Sequence, residues 1–162
     1  MSEYKYIEES FKKVETILKK LKETSNSNAV LLIDKAGQLI TSIGDISGLD
    51  IVSFATLSAA DFGATSQLAE LIGEKNFSSL YHQGEKNSLF ISLVANRVIL
   101  AVLFDSKTTL GLVKVRTKHA SQELEHVLDE LFEKLKVTPP KEVFDKSFLK
   151  EAEEELDKLF GP

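Results

Sequence analysis

The run VILAVLF, Val98 to Phe104, is apolar at every position. A strand with one wet face alternates apolar and polar residues, whereas an unbroken apolar run belongs to a central strand covered on both faces. The sheet that contains it therefore carries helices on both sides, which makes the expected architecture a three-layer one.

Working outward from that run, Ser88 to Ala95 reads as a preceding strand, joined to it by the two-residue connection Asn96-Arg97, in which Asn tolerates the left-handed conformation. Ser79 to Gly84 reads as a further strand. Upstream, the stretch LLIDKAGQLITSIG, Leu31 to Gly44, brings two apolar runs together at Asp34-Lys35-Ala36-Gly37. Asp opens a type I turn and Gly takes the positive φ that closes it. This is a hairpin, with strands over Ala29 to Ile33 and Gln38 to Ile43, and it brings the number of strands to five.

Three helices account for most of the rest. Tyr6 to Lys22 places Ile7, Phe11, Val14, Ile17, Leu18 and Leu21 at helical spacing and stops at Thr24-Ser25-Asn26-Ser27-Asn28. Asp50 is an N-cap for a second helix that reaches Gly73. In that helix the small residues are ordered: Ala55, Ala59 and Gly63 recur every four positions, and Thr56, Ala60 and Ala64 form the neighbouring row, with Ser58 and Gln67 beside them. Ile51, Phe54, Leu57, Phe62, Leu68, Leu71 and Ile72 read as its core contacts. A mid-helix glycine costs about 1 kcal/mol against alanine, and close approach of another backbone would offset it. The segment after Thr109 begins LGLVKVRT, which has the alternation of a strand. Leu110, Val113, Ala120, Leu124, Val127, Leu128, Leu131, Phe132 and Leu135 nevertheless fit one helical stripe, so a helix is expected over Thr109 to Lys136.

At 162 residues and 43 % apolar, the chain suits one compact domain with an appendage. The domain is placed at 1–136, a Pro-containing linker at 137–143, and an amphipathic segment at 144–162. That segment carries Phe144, Phe148, Leu149, Ala152, Leu156, Leu159 and Phe160 on one face, and alone it is too short to be stable. No apolar run is long enough to span a bilayer, and MSEYKYIEESFKK is too charged for a signal peptide, so membrane insertion is not expected and a cytoplasmic location is. There is no cysteine, hence no thiolate nucleophile or Cys-based zinc site. A net charge of −5 with both signs interspersed argues against nucleic acid as a partner.

Catalytic constellations are scarce. His119, Glu123 and His126 fall at i, i+4 and i+7, as helix-borne metal ligands can, but the positions read as a solvated face. His82 is read as a sheet or edge residue without catalysis, since no serine motif, cysteine or partnered carboxylate accompanies it. Gly44-Asp45-Ile46-Ser47-Gly48 lacks the Gly-Lys-Ser/Thr of a phosphate loop. The carboxylates Glu151, Glu153, Glu154, Glu155 and Asp157 lack the alternation and glycine of an EF-hand. Only Arg97 and Arg116 are arginines, and Arg97 in a turn needs no role as an arginine finger. The ordered small residues remain as the best functional signal; they fit packing of the second helix on its own sheet or an interface, homodimeric or with a partner, and they favour binding over catalysis.

In this order, the hairpin LLIDKAGQLITSIG, the helix LSAADFGATSQLAELIGE, YHQGEKNSLFISLV, ILAVLFD and TTLGLVKVR resemble roadblock-type domains of the dynein light-chain superfamily. Within that group they are most similar to the bacterial MglB proteins, which pair with the Ras-like GTPase MglA in cell polarity and gliding motility. The resemblance covers Tyr4 to Lys136. It implies an α/β (α+β) fold of three layers, α/β/α, around a five-stranded antiparallel sheet in the order helix-β-β-helix-β-β-β-helix. It implies a homodimer in which the second helices pair, at Ala55 and Thr56, and the sheets join through the third strands, at Leu80, His82 and Gly84. It also implies a surface for one MglA-type GTPase at Ala59, Ala60, Gly63, Ala64 and Gln67, with a secondary contact from Phe148, Leu156 and Phe160. The implied activity is GTPase activation without an inserted arginine and without a cofactor or metal of the protein's own, in the cytoplasm and concentrated at a cell pole. A dimeric scaffold that localises partners without altering turnover is the rival.

Overall fold

The computed structural model describes residues 3–75 and 77–137, so the expected linker and the amphipathic segment at 144–162, with Phe148, Leu156 and Phe160, lie outside the described residues. The chain runs α1 (Glu3–Ser25), β1 (Ala29–Asp34), β2 (Leu39–Gly44), α2 (Ile51–Leu71), β3 (Ser79–Gln83), β4 (Asn87–Val94), β5 (Val98–Asp105) and α3 (Leu110–Val137). The strands form one five-stranded sheet in the order β2-β1-β5-β4-β3, and every neighbouring pair is antiparallel. The α/β three-layer arrangement and the element order follow the sequence-based expectation.

The apolar run at Val98 occupies the middle strand, β5. Val98, Leu100, Val102 and Phe104 face a core shared with α1 and α3, while Ile99, Ala101 and Leu103 face a second core under α2. Each large aliphatic side chain buried there contributes about 1.5–3 kcal/mol relative to exposure, which is why β5 carries no polar residue before Asp105. α1 and α3 pack side by side on the first face, tied at one end by a Lys20–Glu123 pair at 3.4 Å and at the other by the Lys134 ammonium 3.9 Å from the centre of the Tyr6 ring. The helical alternative for LGLVKVRT holds: Val113, Ala120, Leu124, Val127 and Leu128 are buried, as is Thr117 one turn after Val113.

The first hairpin forms as its turn chemistry dictates. The Gly37 N–H donates to the Asp34 carbonyl at 3.0 Å and the Gln38 N–H to the Asp34 carboxylate at 2.9 Å, with Gly37 at φ 92°. A Cβ on Gly37 would lie 3.0 Å from the Thr56 Cα, so the turn also rests backbone to backbone on α2.

Two local expectations are corrected. In the β4–β5 turn the left-handed residues are Ala95 (φ 54°) and Asn96 (φ 56°), not Asn96 and Arg97. Arg97, whose N–H donates to the Val94 carbonyl, instead lays its guanidinium 3.9 Å over the Phe132 ring. In α1 the buried apolar stripe begins at Val14, after the buried Ser10: Ile7 is 43 % and Phe11 41 % exposed.

Candidate functional site

α2 starts where Asp50 accepts from the Ser53 N–H at 3.2 Å and from its hydroxyl at 2.8 Å. The hydroxyl first, then the backbone N–H, holds the Asp50 carboxyl below the usual carboxylate range. The residues α2 buries are Ala55, Ser58, Phe62, Thr65 and Ala69. Steps of three and four put them on one side of the helix, directly over the sheet. Four of the five are small, which allows the helix to lie close to β1 and β5 and to accept the Gly37 turn.

This orientation reverses part of the sequence-based assignment. Leu57, Leu68, Leu71 and Ile72, read as core contacts, are exposed, at 67 %, 57 %, 81 % and 69 %, and Val52 joins them. At 100° per residue, Leu57 and Leu68 point more than a quarter-turn away from Phe62, so they cannot share its core. Ala55, expected at a dimer contact, is 1 % exposed within the chain's own core and offers no surface to a second copy. Ala59 is half-buried at the edge of that core.

Thr56, Ala60, Gly63, Ala64 and Gln67 do come together, on the outward side, as expected. Val52 borders them on one flank, and Leu57 and Leu68 border them on the other. The ionised side chains on that half of the helix are Glu70 and, on the Leu57–Leu68 flank, Asp61. A helix apolar on all sides is a buried helix, and an exposed apolar face of this extent marks a contact surface. The glycine sharpens the point. A Cβ built on Gly63 meets nothing within 4 Å. Among the described residues no packing requires that glycine, so nothing there offsets its helix penalty.

Beside this face runs β3, an edge of the sheet. Its residues, Ser79 to Gln83, include no lysine, proline or bulge of the kind that protects edges from pairing. Leu80 turns half-buried towards α2, and Tyr81 stacks at 6.1 Å on Phe104 on the opposite face. His82 Nε2 lies 2.6 Å from Asp61 Oδ2, which fastens the edge strand to α2. Twenty-one residues separate the two in sequence, so no local motif could have signalled the pair. Gly84, expected at the pairing edge, lies past the end of β3. Its N–H donates to the Asn87 carbonyl at 3.0 Å, and a Cβ there would overlap that oxygen, so hairpin closure accounts for the glycine.

Elsewhere the ionisable groups have local structural tasks. Glu123 pairs with Lys20 and His126 with Glu130 at 3.3 Å, so His119, Glu123 and His126 do not converge. Among the described residues no three His, Cys, Asp or Glu side chains are grouped to hold a metal ion. A cleft of about 890 Å³ at the end of the sheet includes Asp45 and Asp105 in its lining. Both carboxyls are held below the usual range, Asp45 by the Ser47 hydroxyl and then its N–H, Asp105 by the Lys107 N–H and then the Asn28 amide. Each therefore caps a loop. No helix among the described residues is long and apolar enough to cross a membrane.

Comparison with known proteins matches this geometry. The family model described as "Roadblock/LC7 domain" matches residues 13–104. MglB of Myxococcus xanthus is similar in structure, with a TM-score of 0.72 and 42 % identity, the match covering 75 % of this chain and 91 % of that one. The gliding protein MglB of Thermus thermophilus is similar with a TM-score of 0.70 and 28 % identity, over 75 % of this chain and 92 % of its own. An uncharacterised protein of Methanocaldococcus jannaschii is 27 % identical over 112 residues, 68 % of this chain and 96 % of its own length.

Proposed function

From the premise that the chain belongs to the Roadblock/LC7 family, we propose that it is an MglB-type regulator, a homodimer that binds a Ras-like, MglA-type GTPase and speeds its GTP hydrolysis. One observation carries this reading: the outward face of α2 is uncharged and small at its centre, and contains a glycine that nothing among the described residues requires. In this proposal Ala60, Gly63, Ala64 and Gln67 receive the GTPase, with Ala59 at their margin. Thr56 and the flank of large apolar residues meet the second copy, and β3 edges pair at Leu80 and His82. The likeness to the MglB structures supports the partner class.

The mechanism follows from what the surface carries. Arg97 is engaged with Phe132, so it is not held out as an inserted arginine. A contact of small apolar groups works by position: it holds the switch segments of the GTPase in a competent arrangement, and the GTPase supplies the nucleotide, the Mg²⁺ and the reacting groups. Residues 1–136 form the working domain, and Phe148, Leu156 and Phe160 supply a second GTPase contact. The regulator acts in the cytoplasm, at a cell pole. The test is phosphate release from purified MglA-type GTPases with and without this protein. Faster release supports activation. Tight binding with unchanged release makes the protein an adaptor, and absence of binding removes the proposal.

A further inference from the structure

We propose that the chain's own C-terminal segment, residues 144–160, seats on the first turns of α1 when no GTPase is bound. Tyr4, Ile7, Phe11, Val14 and Leu18 follow one another at i, i+3, i+7, i+10 and i+14, a single stripe along α1. Its lower half, Val14 and Leu18, is core, while Tyr4, Ile7 and Phe11 are 82 %, 43 % and 41 % exposed. The stripe is thus continuous with the core and, among the described residues, lacks a cover for about two turns. An apolar extension of this kind is a seat for something.

The occupant is identified by where the chain goes. α1 and α3 run antiparallel, and the Lys134–Tyr6 contact at 3.9 Å sets the last turns of α3 beside the first turns of α1. Residues leaving α3 at Val137 therefore start at the uncovered stripe. Six linker residues, 138–143, reach up to about 20 Å when extended, enough to turn back along α1. Next come Phe144, Phe148, Leu149, Ala152, Leu156, Leu159 and Phe160, an apolar face that needs cover as much as the stripe does. A tether this short sets an effective concentration on the order of mM, which a second copy of the chain in free solution does not match. Placed in this seat, the segment withholds Phe148, Leu156 and Phe160 from any partner until it is displaced, so the seat and the second GTPase contact compete. The seat itself stands whether or not the GTPase reading holds.

The absence of cysteine makes the test direct. A spin label on Ser147→Cys in the full chain, without GTPase, is expected to broaden the NMR signals of Tyr4, Ile7 and Phe11 beyond detection while leaving the outward face of α2 sharp. Adding Ile7→Asp and Phe11→Asp is expected to restore the signal of Tyr4, with the sheet resonances unchanged as the control for folding. Three results overturn the proposal: no broadening in α1, broadening centred on α2, or equal broadening when label and isotope reside on different chains.

Discussion

Replacing Gly63 with arginine separates what α2 does for its own chain from what it does for a partner. The site lies mid-helix with ordinary φ, and a new Cβ meets nothing within 4 Å. Inside the chain the change therefore removes a helix-propensity penalty of about 0.8–1 kcal/mol and introduces no clash. Thermal unfolding should rise by about 2–5 °C. Towards a partner the sign reverses. A guanidinium and its stem would rise from the centre of a face formed by Thr56, Ala60, Ala64 and Gln67, where a close-fitting surface would have to desolvate it unpaired. A penalty of about 3 kcal/mol or more is expected, at least a hundredfold in Kd. Calorimetric titration with an MglA-type GTPase and a thermal scan of the same sample read both quantities. Gly63→Ala should give a similar gain in stability with a much smaller loss of affinity. A variant that unfolds more easily, or that binds as tightly as the parent, would refute the assignment of this face.

Arg97→Ala should lose about 0.5–1 kcal/mol of stability by denaturant titration, since it removes the cation–π contact with Phe132, and it should leave GTPase activation unchanged; loss of activation with intact folding would make Arg97 a finger after all. Gly37→Ala should destabilise by about 1–3 kcal/mol, because it forces a side chain into φ 92° and onto the Thr56 backbone; a neutral urea midpoint would contradict that packing. Asp45, Asp50 and Asp105 all sit below the usual carboxylate range in the folded chain. Their contribution is therefore fully present above the ordinary carboxylate pKa and is lost as pH falls through the lowered folded values. Unfolding followed between neutral and strongly acid pH should show this loss, and Asp50→Asn, which caps without ionising, should make the acid-side slope shallower.

Much of the fold was legible because its signals are local. The β5 run, the Asp34–Gly37 turn, the Asp50 cap and the α3 stripe each express a backbone preference or a repeat that neighbouring residues specify together. The α2 face was legible only in part. Thr56, Ala60, Gly63, Ala64 and Gln67 do lie together, but the inward side was misassigned, because a helix without charge contrast gives no direction and small residues serve a close sheet as well as a close partner. The spacing Ala55, Ser58, Phe62, Thr65, Ala69 was available as a signal and was masked by the equally regular four-residue rows.

The sequence by itself determined the elements, their order and the need for a sheet covered on both faces, since hydrophobic period and turn chemistry depend on residues within a few positions of one another. The tertiary structure alone decided that Ala55 faces inward while Leu57 and Leu68 face solvent. It alone brought Asp61 to His82 and left the Gly63 side open. Those outcomes depend on how far the helix stands from the sheet and on which distant residues meet across it, distances that packing of the whole chain sets.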